Sequence, residues 1–122
     1  MNNKTNLINL QILAIIGFII GLLLSFLLSY NEKLLSENKV PIFDNKQAQT
    51  LNILRAGLIF IVTLVFLYIN YISYQVCDAN EKNTSFLNLE STLLSVIVAI
   101  IGIYIAITNY NKSFNLIEIE NI

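Results

Sequence analysis

The sequence predicts an all-α fold: an integral membrane protein built as a bundle of three transmembrane helices, the second extended into the cytoplasm. Two observations carry that prediction. Three long stretches hold no charged residue at all, Thr5 to Asn31, Ala56 to Cys77 and Ser91 to Asn111. Each contains a core of about 20 mostly apolar residues, enough for a helix to cross roughly 30 Å of hydrocarbon. The composition agrees, because only 12% of the 122 residues are charged, about half the share usual in a soluble domain.

The first span is expected over residues 7–30. Lys4 and the apolar run after it have the outline of a secretory signal. The run is longer than a signal core, however, and no small-x-small cleavage site follows it, so a retained span is expected. The polar continuation from Asn31 to Lys39 has no Gly or Pro, and the helix is expected to run a turn or two further before Pro41 breaks it.

Asp44 reads as a helix start, with Gln47 three residues on as in a capping box. One long helix is expected from there to about Tyr74. Its first turns, with Lys46, Gln47, Gln49, Thr50 and Asn52, stand in water, and residues 54–76 form the second span. Arg55 sits at the entry, where a long side chain snorkels to phosphate headgroups. Cys77, the single cysteine, reads as a small half-buried residue where the second apolar run ends.

The outside connection, residues 77–86, is short and polar, which implies antiparallel neighbours. The third span is expected over residues 87–110, with Glu90 favourably placed near the positive end of the helix dipole. The tail 111–122 alternates apolar and acidic residues from Leu116 to Glu120, and no structure is assigned to it.

Orientation follows from the basic residues near the span ends. One side collects Lys33, Lys39, Lys46, Arg55 and Lys112, and the other has Lys4 and Lys82. The expectation is an outside N-terminus, a cytoplasmic connection over 31–53 and a cytoplasmic C-terminus. Tyr68, Tyr71 and Tyr74 then mark the outer membrane interface, and Tyr30 and Tyr110 the inner one. The abundance of Ile, Asn and Lys suggests an AT-rich genome, and the plasma membrane of a bacterium is the expected location.

The most specific pattern is a ladder of small residues. Gly17, Gly21, Ser25 and Ser29 recur every fourth position in the first span. Ser95, Ala99, Gly102 and Ala106 form a second stripe in the third span, and Ser91 extends it. In lipid, helices associate where small side chains let backbones approach. The expectation is that the first and third spans pack together within one chain, with the second filling the flank. A homo-oligomer face is the alternative use of either stripe.

Catalysis needs placed acids, bases, nucleophiles or metals, and no such set is visible. The chain has no His, no Cys pair and no carboxylates at ligand spacing. No enzyme activity, cofactor or metal is expected. The net charge of −1 offers no basic field for a nucleic acid. Asn70, near the outer end of the second span, reads as a satisfied interfacial amide. The expected partners are the lipid bilayer and another membrane protein, or a second copy of the chain. The leading function class is a small non-catalytic accessory, assembly or immunity-type protein. In outline the chain also resembles class I phage holins, which share its length, three spans, outside N-terminus and cytoplasmic tail. That resemblance implies self-association and membrane permeabilisation, although this tail lacks the strongly basic character common in that group. An oligomeric small transporter or channel is the third class.

Overall fold

The structure, a computed structural model, describes the backbone of residues 2–120 and the side chains of residues 4–112. It is all-helical. Helix α1 is Asn2–Ser36, α2 is Asn45–Val76 and α3 is Lys82–Glu120, with a single 3₁₀ turn at Ala79–Glu81 leading into α3. All three helices are long and apolar enough to cross a membrane, which points to a membrane location.

The connection between α1 and α2 is built from local hydrogen bonds. The amide of Lys39 donates to the carbonyl of Leu34 at 2.8 Å, and that of Asn38 to Leu35 at 3.1 Å. Asn38 itself has φ 58°. This is a Schellman ending with Asn in the left-handed position that Gly most often fills. The helix therefore stops at Asn38, before Pro41 is reached. Pro41 follows as a residue that could not have continued the helix, and is not the residue that ends it.

Asp44 caps α2 as its spacing implies. Its Oδ1 accepts from the Gln47 amide at 2.7 Å, and the Gln47 Oε1 accepts from the Asp44 amide at 3.1 Å. A reciprocal box of this kind satisfies two amides that the first turn leaves free and is worth about 1 kcal/mol. Asn31 fastens the connection to the helices. It is 1% exposed, and its Oδ1 accepts from the Phe43 amide at 2.9 Å, twelve residues along the chain.

At the other end α2 stops at Cys77, which is half-buried, has an extended backbone and donates its thiol to the Tyr74 carbonyl. Only Cys77 and Asp78 separate α2 from the 3₁₀ turn. The helical path of α3 thus begins well before the apolar run. Tyr74 secures this corner, with Phe86 tilted against it at 5.9 Å between ring centroids and the Lys82 ammonium 4.7 Å above its ring. At its far end α3 continues as helix through residues 111–120, where the sequence assigned nothing.

The order of packing differs from expectation. Among the described residues α1 meets α2, α2 meets α3, and α1 and α3 do not pack on each other. The second helix is the middle of the layer, not its flank. On α1 the inward face runs Ala14, Gly17, Gly21, Leu28, Asn31, with steps of three, four and seven residues. On α3 it runs Thr92, Val96, Ala99, Ala106. Both faces turn to α2.

Replacing Asn31 with Ala removes the acceptor for the Phe43 amide in a buried setting. We expect a loss of about 1–3 kcal/mol in detergent, read as a lowered thermal midpoint, together with faster hydrogen exchange at the Phe43 amide. Unchanged exchange there would show that Asn31 does not hold the connection.

Candidate functional site

Two features of the three-helix layer have functional content: the close approaches that hold it, and a cleft made of two successive cavities along one face of α2.

The close approaches involve part of the small-residue ladder. A Cβ at Gly17 would lie 2.9 Å from Val62 Cγ2, and one at Gly21 would lie 2.5 Å from Ile59 Cδ1 and 3.3 Å from its Cγ1. These glycines therefore seat α2 side chains, and their partners are the bulky residues of the second helix. Ser25 is half-buried and donates to the Gly21 carbonyl at 3.0 Å. Ser29 is exposed. The reason is geometric: each step of four residues turns about 40° around a helix of 3.6 residues per turn. Three such steps from Gly17 carry Ser29 off the face.

The second stripe divides in the same way. Ala99 and Ala106 are buried, Ala106 to 1% exposure. Ser95 is exposed and donates to the Ser91 carbonyl, and a Cβ at Gly102 would meet nothing within 4 Å. Ala99 and Ala106 let α3 approach α2, whereas Ser95 and Gly102 look into open space beside it. The expected contact between the Gly17–Ser29 and Ser95–Ala106 stripes is absent, because each meets α2 from its own side. Among the described residues one polar link joins α2 to α3: Asn70 Nδ2 donates to Thr92 Oγ1 at 3.3 Å, while the Thr92 hydroxyl donates to carbonyls of its own helix. Asn70 is a satisfied amide, and Thr92 is the partner that the sequence did not reveal.

The aromatic and charged residues expected at membrane interfaces are distributed over all three helices. Tyr68 and Tyr71 are exposed, with the Tyr71 hydroxyl accepting from Gln75 at 2.9 Å, and Tyr74 is the half-buried corner described above. Tyr30 stacks on Phe26 at 6.4 Å, and Tyr110 is half-buried. Glu90 is exposed on α3. Arg55 is half-buried, and its Nη2 and Nε donate to Asn52 Oδ1 at 2.8 and 3.3 Å. Among the described residues no carboxylate pairs with it. The one ion pair there, Lys39 with Glu37 at 3.0 Å, is on the surface and contributes little.

The cleft has two parts that follow each other along α2. The first is a chamber of about 250 Å³ with a mixed wall: Asn31 and Glu32 with Leu28 and Leu35 of α1, Asn45, Gln49 and Asn52 with Ala48 of α2, and Asn109 of α3. The second is an apolar groove of about 550 Å³ floored by Ala56, Ile59 and Thr63 of α2, with Phe18 of α1 on one lip and the Ser95–Gly102 edge of α3 on the other. The α2 residues of both parts recur every three or four positions, so they share one face. Arg55 stands where the chamber gives way to the groove, tied to the chamber through Asn52. Among the described residues no group of His, Cys, Asp or Glu is arranged to hold a metal ion. The cleft supplies hydrogen bonds, one cation and an apolar trough.

No protein-family model, no curated protein and no solved structure matches this chain.

Substituting Leu at Gly17 or Gly21 should destabilise the α1–α2 contact by about 1–3 kcal/mol, the usual cost of overpacking. Gly17 should be the less forgiving, because Val62 is buried and stiff about χ1. Gly57, where an added Cβ meets nothing within 4 Å, serves as the control and should accept Leu without loss. Thermal unfolding in detergent reads all three, and equal tolerance at Gly17 and Gly57 would contradict the close approach.

Proposed function

We propose that this chain is a small, non-catalytic integral membrane protein that acts as an accessory, assembly or immunity-type partner of another membrane protein. The observation that supports this most is the open layer. Because α1 and α3, among the described residues, pack on α2 and not on each other, their outward faces carry large exposed apolar side chains, such as Leu22, Leu23 and Phe26 on α1 and Leu94, Val98 and Ile101 on α3. In water such a surface would aggregate. In a bilayer it faces lipid or a neighbouring helix, and three helices in a layer offer a neighbour two broad sides.

The protein resides in the plasma membrane of a bacterium, with its N-terminus outside, the connection over 31–53 and the C-terminus in the cytoplasm, and α2 extending below the bilayer. The excess of Lys and Arg at the Pro41 end supports this sidedness. A second reading, self-association into a permeabilising holin-like assembly or an oligomeric small transporter or channel, draws on the same open faces.

Two measurements test these readings. Cys77 is the only thiol, so a membrane-impermeant maleimide should label it in intact cells. In a Cys77→Ser background, a cysteine at Ser36 should be labelled only after permeabilisation. The reverse pattern would invert the topology, and release of the chain by alkaline carbonate would remove it from the membrane altogether. When the chain is expressed alone, the accessory reading expects an unchanged membrane potential and recovery of a specific membrane protein with the tagged chain. An abrupt collapse of the potential would favour the permeabilising class instead.

A further inference from the structure

We propose that the cleft on α2 is a binding site for one phospholipid bearing an ethanolamine headgroup, drawn from the surrounding bilayer. The inference rests on the membrane-inserted reading above. It goes beyond that reading by naming a ligand and the residues that select it.

The argument begins with the order of chemistry along the cleft. A chamber carrying carboxamides and a carboxylate, then the Arg55 cation, then a mainly apolar groove succeed one another on one face of one helix. A phospholipid has the same order: headgroup, phosphate, acyl chain. The relative sizes agree, since the groove holds about 550 Å³ and the chamber about 250 Å³. The groove edge on α3, from Ser91 to Gly102, is about 16 Å long at 1.5 Å per residue. It lies on the side of Arg55 that the apolar run of α2 occupies, and the chamber lies on the other.

Arg55 fixes the phosphate. Asn52 takes two of its five N–H donors through one oxygen, which orients the guanidinium and leaves the rest of the fork free. Arginine presents that fork in the geometry of a phosphate, with two parallel charge-assisted bonds. An otherwise uncompensated cation at the end of an apolar trough calls for an anion that brings its own hydrocarbon.

Glu32 selects the headgroup. Among the described residues it is the one carboxylate lining the chamber, exposed on α1 and set among carboxamides from all three helices. An anionic headgroup would meet a like charge there. A primary ammonium would meet an opposite charge, together with carboxamide oxygens able to accept its three N–H bonds. Choline carries the same charge with no N–H to donate. The pair Arg55 and Glu32 is thus complementary to a zwitterion whose cationic end is a hydrogen-bond donor.

The test uses the purified full chain in detergent, offered phosphatidylethanolamine, phosphatidylcholine or phosphatidylglycerol with identical acyl chains, with bound lipid counted by native mass spectrometry. The expected result is one tightly retained phosphatidylethanolamine, held about tenfold over phosphatidylcholine, the ratio that one charge-assisted hydrogen bond supports. Glu32→Gln should reduce that ratio, since the neutral carboxamide acceptors remain but the charge is gone, and Arg55→Gln should weaken retention of all three. Gly102→Phe should block the groove, and Ser95→Phe repeats that test at a second position should the first variant misfold. Parity in the wild type, or a preference for phosphatidylglycerol, would overturn the proposal. So would efficient cross-linking between copies through Ser95→Cys in a Cys77→Ser background, which would make a second copy the occupant. Failure of the inserted reading shows separately in carbonate extraction, and failure of the partner reading in co-purification. Neither changes the lipid ratio measured in detergent.

Discussion

Apolar helices surrounded by hydrocarbon have no water to expel from between them. Their contact has to come from backbones that approach closely and from polar groups that find each other. α2 meets that requirement differently on its two sides. Toward α1 it presents Val62 and Ile59, and the missing side chains of Gly17 and Gly21 receive them. Toward α3 it presents Asn70 to Thr92, and the small buried residues Ala99 and Ala106 let the rest of the helix close in. The whole arrangement depends on this division. Each outer helix is shaped for α2, and neither is shaped for the other.

The consequence for the site is direct. Were α1 and α3 in contact, as a bundle of three would ordinarily be arranged, the face of α2 bearing Asn52, Arg55, Ala56 and Ile59 would be covered. Because the outer helices stand apart, that face remains a cleft with a wall on either side. The polar end coincides with the connection that Asn31 ties down, so the chamber walls are held by the same bond that closes the α1–α2 corner. The groove end is bordered by Gly102, whose lack of a side chain leaves open space and brings nothing closer.

Much of this was legible in the chain and some was not, for physical reasons. Three uncharged apolar runs demand three long helices, and three are present. Asp44 with Gln47 three residues on is a local signal, and the reciprocal hydrogen bonds follow from it. The stop at Asn38 was less visible, because Asn adopts the left-handed conformation less often than Gly and Pro41 drew attention instead. Stripe chemistry says only that something approaches. It does not say whether the partner is another stripe or a bulky ridge. Ser29 and Gly102 carry the pattern without the contact. In the sequence Asn31 reads as the start of a polar continuation, and nothing in its neighbours signals that it is buried. Its acceptor role depends on Phe43, across a turn whose geometry only the folded chain defines.

Every helix pairing in the described chain joins elements that are consecutive in sequence. Assembly therefore needs no long-range closure. The α1–α2 hairpin has its full set of interactions once Val76 has been made, and α3 then adds as a second hairpin onto a surface already in place. A chain with this wiring can fold in the order in which it emerges from the ribosome, each step local and complete before the next.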